Sequence, residues 1–204
     1  MIISVVMAYF NREEQLLRTF SSIEKSSMAN NIEVIIVDDA SNVPIKDVIS
    51  DKKFKFDIKV ISLSASDKRW SNPCVPYNIG FKNVSGEIVI IQNPENFWVG
   101  DVAKFAYDNI TDNKYIVFSC FNSFSKFNDI IFKDDDEIRI RKNILGNMSK
   151  MTEKGHWYNH PTFNNTGYHF CSVISRSNLK KLNGFNELYK DGFGYDDNEF
   201  LHRI

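Results

Sequence analysis

The chain has little that would hold it together covalently or carry it into a membrane. Its 204 residues include three cysteines, Cys74, Cys120 and Cys171. They are odd in number, far apart and without zinc-site spacing, and read as reduced core thiols of a cytosolic protein. Net charge is only −1, so no overall field draws the protein to nucleic acid or to an anionic membrane. No apolar run is long enough to span a bilayer, since Ile2 to Phe10 and Ile88 to Ile91 are strand-sized. The first residues enter such a run at once, without the charged n-region or cleavage site of a signal peptide. The following loop, Ala8-Tyr9-Phe10-Asn11, lacks glycine, which counts against the phosphate loop of a nucleotidyltransferase. Internal repeats and low-complexity tracts are also missing.

What is there is 43% hydrophobic and 25% charged, the balance of one soluble domain with a sizeable core. Ile2 to Met7 is a near-continuous β-branched run, as in a strand covered on both faces. Asn11 then offers a cap, Glu13 and Glu14 a first turn, and Leu16, Leu17, Phe20 and Ile23 a helical stripe. Glu33 to Val37 reads as a second buried strand that stops at Asp38-Asp39-Ala40-Ser41. Ile58 to Leu63 reads as a third strand, Pro76 to Asn83 as a short helix and Glu87 to Ile91 as a fourth strand. Strands alternating with helical patterns predict an α/β, Rossmann-like, mostly parallel sheet flanked by helices. In such sheets ligands sit beyond the carboxyl ends of the strands. Tyr9 to Arg12, Asp38-Asp39 and Asn93-Pro94-Glu95 all fall there. Farther on, Val102, Phe105 and Ala106 suggest a helix, Tyr115 to Phe121 and Tyr168 to Ser175 strands, and a helix follows through Leu182. Residues 122–167 are polar and aromatic, a length that marks a functional loop or small subdomain.

The end of the chain adds Gly184-Phe185-Asn186-Glu187 and Tyr195-Asp196-Asp197. A glycine-aromatic turn delivers two adjacent carboxylates into the start of a helical pattern, where the helix dipole tolerates negative charge. Alone, Asp196 would be an ordinary helix cap. The other acidic pair, Asp38-Asp39 at a strand end, gives the segment more weight.

In this order the segments resemble the family-2 glycosyltransferases of the GT-A fold, over nearly the whole chain. The resemblance implies one GT-A domain over 1–204, with a nucleotide-binding half at 1–100 and an acceptor-binding half at 101–204. It implies an inverting transferase that moves a sugar from a UDP-sugar to a saccharide or glycosylated acceptor. Ala8, Tyr9, Phe10, Asn11 and Arg12 match the first strand and nucleotide loop, and Asp38-Asp39 the acids that meet the uracil. Asn78, in Pro76 to Phe81, lies in a stretch near the nucleotide; it reads either as a turn brace or as a substrate contact. Asp197 matches the general base and Asp196 an acceptor ligand, with Trp157, Tyr158, His169 and Tyr195 on the acceptor or sugar side. For His169 a core role stays open.

Two departures follow from the match. The family's Asp-x-Asp metal positions are here Asn93 and Glu95, both acceptable hard-cation ligands with one charge fewer. That implies weak Mn²⁺ or Mg²⁺ binding centred on Glu95 and the donor diphosphate. The family's later metal-binding histidine is absent or lies beyond Ile204, seven residues after Asp197. Asn93 also favours an alternative, a nucleotide-sugar or glycan-binding module that kept the fold and lost turnover. Arg12 and Arg69 read equally as phosphate ligands or solvent-facing surface. His156 and His160 are kept off a common helix face by Pro161, so that cluster reads as an acceptor-lining loop. Asp134-Asp135-Asp136 reads as a solvated turn.

Overall fold

The computed structural model of the chain describes residues 3–122, 131, 133–134, 136–148 and 156–204. Asp135 lies outside the described residues. The first half runs β1 (Ile3–Tyr9), α1 (Glu13–Ile23), β2 (Ile32–Asp38), α2 (Ile45–Ile49), β3 (Asp57–Ser62), α3 (Cys74–Phe81), β4 (Ile88–Gln92) and α4 (Val102–Asn109). The second half supplies β5 (Ile116–Val117), β6 (Cys120–Phe121), α5 (Glu137–Asn147), β7 (Trp157–Asn159), β8 (Cys171–Ser175), α6 (Arg176–Leu182) and α7 (Asp196–Arg203).

Six strands form one sheet in the order β3-β2-β1-β4-β8-β5. β3, β2, β1 and β4 are parallel, and β8 runs antiparallel to both β4 and β5. The expected mostly parallel α/β sheet is therefore present, and its core follows the strand period of two. Ile3, Val5, Met7 and Tyr9 of β1 pack on one face with Leu16, Phe20 and Ile23 of α1 and Val102, Ala103 and Ala106 of α4. Val6 of the same strand faces the other way, with Cys74 and Tyr77 of α3, Leu179 of α6 and Phe200 of α7. With helices on both faces, near-continuous Val/Ile runs are what such strands require.

The segment Tyr115 to Phe121, expected as one strand, is two. β5 joins the main sheet, whereas β6 leaves it to pair with β7 in a separate two-stranded sheet. Phe118 still donates from its backbone to Cys171 (2.9 Å), so the chain is handed from one partner to the other at that point. The cysteines are free. Burial pushes the Cys74 thiol up to about 11, helped by Asp196 and Glu187, and the Cys120 thiol up to about 12. Neither offers a thiolate near neutral pH.

One side chain joins α3 to the chain that precedes α7. Buried Asn78 accepts from Phe185 N (2.8 Å) and donates to Phe185 O (2.8 Å) and Glu187 Oε1 (3.0 Å). Gly184 makes that closeness possible. Its φ is +69°, and a Cβ there would sit 2.3 Å from Asn78 Oδ1, so both shape and angle exclude a side chain. Asn78→Ala strands the buried backbone groups of Phe185, a loss of about 1–3 kcal/mol. Urea denaturation should report that loss; an unchanged unfolding free energy would show that the turn stands without the brace.

Candidate active site

Four parallel strands end on one edge, and the reversed direction of β8 brings its first residues there too. Tyr9 lies opposite Asp38, Asp38 opposite Ser62, and Gln92 opposite Cys171. The strand order changes direction between β1 and β4, the place where open α/β sheets form a ligand crevice. The loops above it are stitched together. Asn11 donates from its backbone to Ser41 Oγ (3.0 Å) and accepts from Asn42 N through Oδ1 (2.8 Å). Asn11 and Ala40 both hold positive φ, at 49° and 62°, strain that persists only where surroundings over-determine it.

The acids after β2 have different tasks. Asp38 is buried, and its carboxylate accepts from Ser41 N (3.0 Å) and Ile45 N (2.8 Å), closing the loop into α2. Asp39 points to the loop after β3. Its Oδ1 accepts from Trp70 Nε1 (2.9 Å), and its Oδ2 meets Lys68 Nζ (2.7 Å). The same ammonium stands 4.6 Å from the centroid of the exposed Phe10 ring. Beyond β4, Glu95 is partly exposed, with Arg12 Nε 4.0 Å away. The buried Tyr77 hydroxyl donates to Gln92 O (2.9 Å) and reaches Asn93 Oδ1 (3.1 Å). Burial first, then the carboxylates of Glu95 and Asp197, hold that hydroxyl well above its usual range. The same tyrosine links the loop after β4 to His169, whose ring lies 5.0 Å from its own.

The C-terminal acids sit in the first turn of α7. Asp196 is 4% exposed, and Oδ1 accepts from Asn72 Nδ2 (2.8 Å). Asp197 is more open, its side chain 19% exposed, and it contacts Nδ1 of buried His169 through Oδ1. His169 is walled by the rings of Tyr77 and Phe185, at 5.0 and 4.8 Å. Before them Tyr195 is 73% exposed and held at φ 64°, an angle uncommon outside glycine.

Several of the expected site residues direct their side chains inward. Tyr9 lies in the core, and burial pushes its hydroxyl up to about 12. Asp38 and Asn78 spend their polar atoms on the protein itself, and Asp196 gives Oδ1 to Asn72. Trp157 is buried against Phe121, His160 and Phe163, because the alternation of β7 turns it inward and leaves Tyr158 outside. Tyr158 packs on Phe170 and accepts from Asn122 Nδ2 (3.1 Å). His160 Nδ1 accepts from Thr162 N and Phe163 N, at 3.1 and 3.2 Å, which makes it a turn brace. Asp134 pairs with Arg139, which holds its carboxyl down at about 2, and Asp136 caps α5. Arg69 folds back onto the carbonyls of Ser66 and Lys68.

Among the described residues no three His, Cys, Asp or Glu side chains gather as a metal cage. Glu95 and the free lone pair of Asn93 Oδ1 fit a hard cation only if a ligand such as a diphosphate supplies most of the oxygens. Lys68, Trp70 and Asn72 were not singled out in the sequence. The signal available was an aromatic among cations in an otherwise polar stretch, Lys68-Arg69-Trp70-Ser71-Asn72, leading into a helix.

Similar proteins place this geometry in a family. TarP of Staphylococcus aureus (strain N315), a poly(ribitol-phosphate) beta-N-acetylglucosaminyltransferase, is 34% identical over 115 residues, which is 54% of this chain and 34% of TarP. The fold matches S. aureus TarS 1-349 in complex with UDP-GlcNAc, with a TM-score of 0.64 at 17% identity, over 98% of this chain and 52% of that one. It also matches the mannosyltransferase PcManGT of Pyrobaculum calidifontis in complex with GDP-Man and Mn²⁺, with a TM-score of 0.60 at 14% identity, over 98% and 51%. The chain thus spans about a third of the curated relative and about half of these solved chains. Residues 4–182 match the description of glycosyl transferase family 2, and the chain belongs to that family.

Proposed function

We propose that the chain transfers a sugar from a UDP-sugar to a saccharide or glycoconjugate hydroxyl, with inversion, and that Asp197 is the general base. The observation that carries this reading is Tyr77, whose hydroxyl reaches Asn93 Oδ1 (3.1 Å) and whose ring stands 5.0 Å from that of His169, the partner of Asp197. That chain of contacts supports a single cleft for the candidate diphosphate end and the candidate base. Asp197 takes the acceptor proton as the acceptor oxygen bonds the anomeric carbon and the bond to the diphosphate oxygen breaks. His169, held between rings, fixes the carboxylate that does so. Asp39 takes the uracil imino proton as a hydrogen bond, and the exposed Phe10 and Tyr195 flank the donor and acceptor ends. A Mn²⁺ or Mg²⁺ ion, when bound by Glu95 and Asn93, supplies charge neutralisation for the departing diphosphate. The names of TarP and TarS make UDP-N-acetylglucosamine the first donor to test.

A second reading, a binding module without turnover, draws on Asn93 at the position of the family's first metal acid. Metal-stimulated release of UDP from a UDP-sugar separates the two, since only an enzyme turns the donor over.

Three outcomes are expected. In calorimetry with UDP, Asp39→Ala loses a charge-assisted contact on the order of 1.5–3 kcal/mol; unchanged affinity would put the base elsewhere. Mn²⁺ binds appreciably only with UDP present, and Glu95→Gln removes that synergy. Tight Mn²⁺ binding to the protein alone, indifferent to Glu95→Gln, would sink the assignment. Asp197→Asn keeps UDP affinity while transfer falls by about 10²–10⁴. Transfer near the wild-type rate would remove Asp197 from the role of base.

A further inference from the structure

The loop between β3 and α3 has no regular structure, yet it touches both acidic sites. At one end Lys68 and Trp70 hold the two oxygens of Asp39 (2.7 and 2.9 Å). Four residues beyond Lys68, Asn72 donates from Nδ2 to Asp196 Oδ1 (2.8 Å). Asn72 is 3% exposed, and its other groups are committed as well. Oδ1 accepts from Cys74 N (2.8 Å), and its backbone N donates to Lys190 O (3.0 Å). Ser71 N reaches the same carbonyl (2.7 Å), and Lys190 Nζ returns to Arg69 O (3.3 Å). An amide with a carboxylate on one side and an N–H on the other has a single satisfied orientation. Asn72 is therefore held in place, and it presents a donor to Asp196 and nothing else.

Asp196 and Asp197 are neighbours in one helical turn, so a tilt of that turn moves both. The turn starts from Tyr195 at φ 64°, a conformation that stays populated only when its surroundings fix it. Among the described contacts of the Asp196 carboxylate, the one to Asn72 does so from inside the protein. We propose that Asn72 is a positioning residue for glycosyl transfer: it anchors Asp196, and through that turn aims the Asp197 carboxylate, from the loop that also holds Asp39. The inference rests on Asp197 as the base, proposed above.

The informative substitution is Asn72→Asp. It keeps the size and the acceptor for Cys74 N, and asparagine and aspartate serve such turn-capping positions equally well. It removes the donor to Asp196 and sets two carboxylates face to face. The expected result is a fall of about 10²-fold in kcat, the scale of a small misplacement at a reacting centre, with UDP affinity by calorimetry unchanged. Asp196→Asn alone keeps an oxygen that accepts from Asn72, so its kcat is the reference for the double variant, with any loss of acceptor binding read in KM. Joining the two, Asn72→Asp with Asp196→Asn, reverses the polarity of the contact and should bring kcat to within about tenfold of Asp196→Asn alone. A folded, UDP-binding Asn72→Asp variant with wild-type kcat would overturn the proposal. So would a loss that the reciprocal exchange leaves uncorrected. If wild-type protein transfers sugar but Asp197→Asn does so equally well, the base assignment fails first, and this role falls with it.

Discussion

The double engagement of Phe185 by the Asn78 carboxamide is the contact on which the Asp197 end of the candidate site depends. A helix packed on β1 and β2 thereby fixes both backbone groups of a residue more than a hundred positions later. Phe185 then meets Tyr77, Phe81, His169 and Phe200, with ring centroids between 4.7 and 5.7 Å. Each such pair adds about 0.5–1.5 kcal/mol beyond its buried area, and two of these rings, Tyr77 and Phe185, form the wall of His169. The contact to Asp197 begins at that wall. Core packing and catalytic geometry are one structure here, continuous from the sheet to the candidate base.

How much of this was legible in the sequence varied with its physical source. The central strands were legible because strands covered on both faces must be apolar along their length, and Val34 to Val37 is. The edge on which ligands gather followed from that topology alone. What one residue of an acidic pair does was less legible. Asp38 and Asp39 are chemically the same, and the strand end sends one to the backbone of Ser41 and Ile45 and the other to Lys68 and Trp70. Trp157 shows a similar limit: β7 has three residues, too few for an alternating pattern to reveal which ring is inside. Residues 64–73 carry no period at all, and the lone aromatic among cations at Lys68-Arg69-Trp70 marks the stretch without saying which of its side chains reaches Asp196.

Backbone strain is concentrated where the chemistry is proposed. Of the four non-glycine residues at positive φ among the described residues, Asn11, Ala40 and Tyr195 border the cleft, and Asn183 ends α6. Loops that carry such angles are fixed by many partners, as the Asn11–Ser41–Asn42 contacts illustrate. By contrast, the candidate metal region is sparsely built, with one carboxylate, one amide oxygen and a cation 4.0 Å from the carboxylate. A site that rigid in its loops and that spare in its charges leaves the ligand to complete the electrostatics.

The two partners of Asp39 leave part of its carboxylate open. One oxygen holds an ammonium and the other an indole N–H, whereas a carboxylate offers about four lone-pair sites. A further donor arriving there adds a hydrogen bond without evicting Lys68 or Trp70. What the two residues of the loop after β3 confer is therefore aim: they fix the plane of the carboxylate, and with it the directions from which a third donor is accepted.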